Sequence, residues 1–240
     1  MNKDNKLFLV RGCSIDQHEE HYSLHYDNQM FDKYAKVRFP LKSSANNYFR
    51  IISSCNGVIC LSDDHFVITN DLYLWNRSIQ KLMALPPVRV TFQLHGPFMH
   101  NIGFGFDPVT DDYKVIRIVY LNYVTIPPEV DIFTLSTGTW RNISHLGLPY
   151  IIQDRGPQIN LNGAAHWIAS DRRGYLHCFL IVSFHVGDEV FHEIIFPLSL
   201  DVANFLESLS LIEMQFDGDW SNVGKHYCVW VMEEYGVATS

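Results

Sequence analysis

The segment NIGFGFDPVTDDYKVIRIVYL at 101–121 decides the fold class, because it contains two apolar runs separated by a turn. The turn begins at Asp107-Pro108, where proline fixes the backbone angle of a turn's second residue and aspartate accepts hydrogen bonds from neighbouring amides. The runs on either side are rich in Ile, Val, Phe and Tyr, which favour extended strands. The segment therefore predicts an antiparallel β-hairpin.

The same alternation of apolar run and turn extends in both directions from this hairpin. Asn56-Gly57 and Asn162-Gly163 each stand directly before an apolar strand, and Gly138 supplies the positive φ that a tight turn needs. The predicted strands are, in order, LFLVR, HYSLHYD, FRIISS, VICLS, FVIT, LYLWN, KLMALP, NIGFGFD, YKVIRIVYL, VDIFTLS, AAHWIAS, LHCFLIVSF, HEIIFPL, LSLIEMQ and HYCVWVMEEY. Helical spacing occurs only at Val202, Phe205, Leu206 and Leu209, where it predicts one or two helical turns.

The two halves of the chain repeat one order of strands. The first half runs from an Asn-Gly pair through LYLWN to a strand ending in Leu-Pro-Pro, and the second runs from an Asn-Gly pair through LIVSF to HEIIFPL. Repeated groups of strands are typical of blades arranged around an axis. The sequence thus predicts an all-β fold, a β-propeller-like and kelch-like array of antiparallel sheets, with a β-sandwich as the alternative.

Composition excludes several classes of protein. The chain is 47% hydrophobic and carries a net charge of -8, so it resembles a packed domain and lacks the clustered Lys and Arg that grip nucleic acid. Its five cysteines form no C-x-x-C pair, which argues against a disulfide framework or structural zinc. No apolar run approaches the roughly 18 residues of a membrane span. We expect a cytoplasmic protein that binds neither nucleic acid nor membrane.

Reactive chemistry has no strong motif in this sequence. His18-Glu19-Glu20-His21 is one residue short of the H-E-x-x-H zinc motif, and no G-x-S-x-G is present. Gly103 and Gly105 lack the third glycine and the following helix of a dinucleotide site, so they indicate close strand packing. We therefore predict no catalytic residue, no cofactor and no metal site. A β-propeller hydrolase remains the alternative of a different class.

Tryptophans divide into two groups. Trp75, Trp140, Trp167 and Trp230 lie in or beside predicted strands, which favours a place in the core. Trp220 instead lies in the polar loop DGDWSN, beside Asp217 and Asp219. The sequence predicts these three residues as an exposed contact with a partner protein.

Six segments together resemble the F-box-associated interaction domain of plants, and specifically the S-locus and S-haplotype F-box proteins of the rose family. They are SCNGVICL (54–61), LYLWNRSIQKLMALPP (72–87), GFGFDPVTDDYKVIRI (103–118), VDIFTLSTGTWRNI (130–143), NGAAHWIA (162–169) and CVWVMEEYG (228–236). The resemblance implies that residues 1–240 form one such domain, truncated at both ends. The F-box that docks the Skp adaptor, and through it cullin, is expected outside this chain.

The resemblance also implies a function. Such a domain holds a protein substrate for ubiquitin transfer by a Skp–cullin–F-box complex, and in this group the substrate is the pistil S-RNase that governs self-incompatibility in pollen. S-ribonucleases tend to be basic, so loop carboxylates are expected to steer the encounter: Asp63, Asp64, Asp111, Asp112, Asp217 and Asp219. The alternative is a general F-box protein with another protein substrate.

Overall fold

A computed structural model describes residues 7–14, 19–26, 28–38, 49–63, 71–121, 127–153, 158–171, 178–195, 201–205, 208–216 and 225–231. Antiparallel sheets account for most of these residues. Within the described ranges the helical segments are α1 (Phe92–His95) and a single 3-10 turn (Ser144–Leu146). The predicted all-β class is therefore confirmed.

The chain divides into two compact units, and the first holds a three-stranded sheet. Its strands are β1 (Leu7–Ser14), β2 (Glu19–Tyr26) and β3 (Lys33–Val37), in the order β1-β2-β3. The Tyr22 hydroxyl donates to the Phe49 carbonyl at 2.8 Å and accepts from the Phe49 amide at 3.1 Å. These two hydrogen bonds hold the backbone of Phe49 against β2.

The second unit begins with a four-stranded meander. Its strands are β4 (Arg50–Cys55), β5 (Val58–Ser62), β6 (Leu72–Asn76) and β7 (Lys81–Ala84), in that order. Asn56 and Gly57 both have positive φ, at 48° and 77°. Two consecutive left-handed residues form the type I′ turn whose twist matches a two-residue hairpin, as the Asn-Gly pair predicts.

The next sheet contains the hairpin of residues 101–121. It is built from β8 (Phe98–Asp107), β9 (Asp112–Leu121), β10 (Glu129–Thr134) and β11 (Thr139–Asn142) in the order β11-β10-β9-β8. Asp107 pairs with Asp112, and the Asp107 carboxylate accepts from the Val109 amide at 2.9 Å. The predicted turn and its aspartate cap are confirmed, as is the positive φ of Gly138 at 66°.

A third sheet of this unit repeats the pattern with a divided first strand. Its strands are β12 (Ile151–Ile152), β13 (Ile159–Leu161), β14 (Ala164–Asp171), β15 (Cys178–His185) and β16 (Val190–Ile195). Both β12 and β13 pair with β14. Asn162 and Gly163 form a second two-residue turn with positive φ at both positions.

The last described strands correct one prediction. They are β17 (Asp201–Phe205), β18 (Ser208–Phe216) and β19 (Lys225–Val231), in the order β17-β18-β19. The helix predicted over Val202–Leu209 is wrong, because β17 pairs antiparallel with β18 from Asp201↔Ile212 to Phe205↔Ser208. Four apolar positions are too few to separate a helical period from a strand, and pairing with the long apolar β18 overrides the local preference.

Two apolar layers join consecutive sheets of the second unit. One contains Ile52, Cys60, Leu72, Phe104 and Phe133, from the first two meanders. The other joins β9 and β10 to β14 and β15, around the fully buried Trp167. Antiparallel meanders packed face to face in sequence order constitute a β-propeller-like architecture. The predicted core positions of Trp75 and Trp167 are confirmed, Trp140 is half-buried, and Trp230 lies in β19, where only the backbone is described.

Candidate protein-binding surface

One end of the second unit is formed by short hairpin turns. We call it the turn face, and it comprises the turns at 56–57, 77–80, 108–111, 135–138, 162–163 and 186–189. Neighbouring turns of one sheet contact each other: Ser136 donates its amide to Asp112 at 3.1 Å, and Val186 donates to the Gly163 carbonyl at 3.0 Å. Between sheets, the Tyr113 hydroxyl reaches the Asn56 carbonyl at 3.4 Å.

A buried lysine joins two sheets beneath the turn face. Lys114 on β9 donates to the Asp107 carboxylate at 3.0 Å, to the Glu189 carboxylate at 3.1 Å and to the Val186 carbonyl at 3.1 Å. The Lys114 side chain is only 8% exposed and that of Asp107 1%. Because each buried charge has a hydrogen-bonded partner, the network fixes the 186–189 turn against the 107–112 hairpin.

The electrostatics of this network keep its carboxylates ionised. The hydrogen bond from the Thr110 hydroxyl, together with the Lys114 ammonium, outweighs burial and holds the pKa of Asp107 well below its ordinary value. Arg141 contacts the second oxygen of Glu189 at 2.5 Å. Arg141 and Lys114 together outweigh burial and lower the pKa of Glu189. The turn face thus has a rigid, charge-paired base.

The turn tips present apolar and acidic groups to solvent. Val109 is 89% exposed and Ile79 66%, although both are β-branched aliphatic residues that folding ordinarily buries. Asp111 and Asp188 stand exposed in neighbouring turns. Solvent-exposed aliphatic side chains on ordered turns, on a face that also carries exposed carboxylates, suit contact with another protein.

The acidic residues predicted as contacts have different positions. Asp111 is exposed at the turn face with a left-handed φ of 52°. Asp63 and Asp112 are buried, at 2% and 5% exposure, and the Asp112 carboxylate accepts from the amides of Tyr113 and Ser136. Neither carboxylate faces solvent. Asp63 directly follows β5, and Asp112 lies at the start of β9, where the 135–138 turn contacts it. Asp64, Asp217, Asp219 and Trp220 lie outside the described residues.

Side chains from neighbouring sheets cover the outer edge of β8, which is the last strand in the order β11-β10-β9-β8. The Phe104 amide donates to Gln158 at 3.3 Å, and the Phe104 carbonyl accepts from Asn160 at 3.1 Å. Trp167 donates to the Ile102 carbonyl at 3.4 Å, and the Cys55 thiol bonds to the Phe106 backbone. Burial raises the pKa of that thiol. Four side chains from two neighbouring sheets therefore satisfy an edge that would otherwise stay open for another strand.

Close packing explains the two glycines of β8. A Cβ added at Gly103 would lie 2.5 Å from a ring carbon of Trp167, and one at Gly105 would lie 2.6 Å from a methyl of Val186. The prediction of close strand packing at this pair is confirmed. Sequence reasoning missed Lys114 and Glu189, although a lysine within a largely apolar strand indicates that some buried partner exists, without identifying it.

Neither a cluster of metal ligands nor a membrane-spanning helix is found among the described residues. Across the described part of the chain, no three His, Cys, Asp or Glu side chains gather as metal ligands would. His192 and Glu193 both face solvent on β16, and His18 lies outside the described residues. Of the helical segments described, neither has the length and hydrophobicity that crossing a membrane requires.

Comparison with known proteins shows an extended similarity. Residues 2–237 match the family model of the F-box associated beta propeller domain. The F-box protein CPR1 of Arabidopsis thaliana is 27% identical over 259 aligned positions, which cover 99% of this chain and 59% of that protein. A second F-box protein of the same plant is 29% identical, covering 85% of this chain and 52% of its own length.

A third relative, an F-box/kelch-repeat protein of Arabidopsis thaliana, is 24% identical over 79% of this chain and 50% of its own length. The chain thus spans about half the length of the curated relatives it matches. All three are named as F-box proteins, and the shared portion is the β-rich part described above.

Proposed function

Because the chain belongs to the F-box associated β-propeller domain family, we propose that it recruits a protein substrate to a Skp–cullin–F-box ubiquitin ligase. The observation that supports this function best is the turn face, where Val109 and Ile79 are exposed on turns with a fixed base. The ubiquitin-transfer chemistry belongs to other subunits of the ligase. The domain's own task is to bind and position the substrate.

The physical case rests on preorganisation. Binding costs less conformational entropy when the contacting loops are already held in place. At the turn face the type I′ turn at 56–57, the Asp107 cap and the Lys114 network hold the turns before any partner arrives. An aliphatic side chain on such a turn can enter a partner's groove without ordering the loop that carries it.

We infer further that the substrate is an S-RNase and that the full protein acts in pollen self-incompatibility, in the cytoplasm. The six segments that resemble S-locus F-box proteins support this, and the net charge of -8 suits a basic ribonuclease. Asp111 and Asp188 are the exposed carboxylates of the described turn face that would attract it. We extend the contact surface to Asp64, Asp217, Asp219 and Trp220 as a proposal from sequence.

The test is binding of pistil ribonucleases to the full-length parent protein, with variants at the turn face. Substituting Ile79→Ser together with Val109→Ser should weaken binding about tenfold, because two desolvated aliphatic contacts are lost. Trp220→Ala should weaken it as well. Leu94→Ser is the matched control, since Leu94 is 77% exposed on α1 between β7 and β8, at the opposite end of those sheets.

Different outcomes test the S-RNase substrate, the general role in substrate binding and the turn face separately. Association with an S-RNase that slows as salt rises supports steering by carboxylates. Capture of other proteins through the turn face, without ribonuclease, favours a general F-box protein with a different substrate. Binding that is indifferent to the Ile79 and Val109 changes, or equally sensitive to Leu94→Ser, would refute the turn face as the docking surface.

A further inference from the structure

The first unit exposes an apolar and basic surface on one hairpin. We call it the β2–β3 hairpin surface, and it consists of Met30, Phe31, Lys33, Tyr34, Lys36 and Arg38. Met30 is 79% exposed, Phe31 45% and Tyr34 50%. Three large apolar side chains exposed within five residues form a patch of the kind that soluble proteins use for binding.

This exposure occurs on an ordered turn. The Asp32 amide donates to the Asn28 side chain at 3.1 Å, and the Phe31 amide donates to the Asn28 carbonyl at 3.0 Å. The His25 ring stacks on Phe31 with centroids 4.7 Å apart, and its Nδ1 lies 2.7 Å from the Phe31 carbonyl oxygen. Since hydrogen bonds and stacking fix this turn, Met30 points to solvent from a defined backbone.

The turn and strand at residues 28–38 carry a charge opposite to that of the whole chain. Residues 28–38 contain Lys33, Lys36 and Arg38 against Asp32, which makes +2, so the remaining residues of a chain at -8 carry -10. The carboxylate of Asp32 already accepts from the Asn28 amide at 3.1 Å. A partner that approaches this surface therefore meets three exposed cations, and negative charge is favoured there.

The edge of the sheet adds a backbone contribution. In the order β1-β2-β3, β3 is an outer strand, and among the described residues it pairs with β2 alone. Within the described ranges no strand covers the second edge of β3, and an uncovered edge can take up an extended peptide by strand addition. Lys33 and Lys36 lie on that same strand, and Arg38 follows its end.

We propose that the β2–β3 hairpin surface binds an extended acidic peptide that carries large apolar side chains. The lysines and Arg38 pair with the carboxylates of the peptide, and Met30, Phe31 and Tyr34 pack against its apolar residues. The edge of β3 orders the backbone of the peptide. This interaction uses residues of the first unit only, and it does not depend on what the turn face binds.

The test measures binding of the 240-residue chain to a fluorescein-labelled peptide of about ten residues in which Asp and Glu alternate with Leu and Phe. Fluorescence anisotropy should show saturable binding that weakens as salt rises. Lys33→Glu combined with Lys36→Glu should weaken it about tenfold or more. Met30→Ser alone should weaken binding about threefold. Because the Met30 side chain is exposed, this change should have little effect on the stability of the fold.

Two variants of the second unit serve as matched controls. Lys81→Glu reverses an exposed lysine on β7, and Leu94→Ser removes an exposed aliphatic side chain on α1. Both should bind the peptide like the unchanged protein. The proposal fails if a peptide with Lys in place of Asp and Glu binds equally well, or if the controls weaken binding as much as the hairpin variants. It also fails if Met30→Ser disrupts self-association while the peptide does not bind, since the occupant is then a second copy of the chain.

Discussion

Replacing Gly105 by alanine tests how the sheet of β8–β11 packs against the sheet of β14–β16. The new Cβ would lie 2.6 Å from a methyl carbon of Val186, which is 2% exposed and cannot move into solvent. Overpacking of this kind costs about 1 to 3 kcal/mol, and the loss of glycine entropy in the unfolded chain returns about 0.4 to 1 kcal/mol. We expect Gly105→Ala to lower the free energy of unfolding by about 1 to 2 kcal/mol.

A double-mutant cycle tests whether the contact with Val186 causes this loss of stability. Val186→Ala alone removes two buried methyl groups and should cost about 2 kcal/mol. It also removes the methyl group that the new Cβ of Gly105→Ala would strike, so the double variant should be about 1 to 2 kcal/mol more stable than the sum of the single effects. Urea unfolding followed by tryptophan fluorescence, with circular dichroism as a second probe, gives all four free energies.

The neighbouring glycine provides the control. A Cβ at Gly103 would meet Trp167 and Ile116, so Val186→Ala cannot relieve it. Gly103→Ala and Val186→Ala should therefore add to within about 0.5 kcal/mol. If Gly105→Ala and Val186→Ala are equally additive, the close contact between these two sheets is not the reason for the glycine.

Two further predictions concern buried ionisable groups. Lys114→Met should lower the free energy of unfolding by about 3 to 5 kcal/mol, because it leaves Asp107 buried without its cation. Arg141→Met, at the 55% exposed end of the same network, should lower it by less than about 1 kcal/mol. Similar losses for the two variants in urea unfolding would refute the distinction. Burial lowers the pKa of His166 from 6.5 to about 4, so only the unfolded chain takes up this proton between those values. Stability should then fall as pH drops from 6.5 toward 4, by roughly 3 kcal/mol at the lower end, and His166→Gln should flatten this slope in urea titrations at several pH values.

The parts of the fold that sequence predicts are those that local chemistry determines. Asp107-Pro108 and the two Asn-Gly pairs impose turns whatever surrounds them, and the structure has turns at all three. Long apolar runs such as YKVIRIVYL have one plausible state in an all-β chain. The close approach at Gly103 follows equally from the residue itself, since only a missing side chain admits Trp167 so near.

The parts that escaped prediction depend on distant partners. The strand KYAKV of β3 carries two lysines and no alternation, and β12 and β13 are too short to show a period. Lys114 meets Glu189 across 75 positions of sequence, so no local pattern announces the pair. Asp111 and Asp112 are neighbours of one chemical type, yet only the fold decides that one faces solvent and the other receives backbone amides.

The side chains that close the edge of β8 have a practical consequence for fragment design. A single sheet excised from this protein would leave behind Asn160, Gln158, Trp167 and Cys55, and its first strand would then display a bare row of amides and carbonyls. Such a row invites pairing between identical molecules and hence aggregation during expression. A minimal soluble fragment centred on β8 should therefore begin before β4 and extend past β14. It then includes the two neighbouring sheets whose side chains cover this strand.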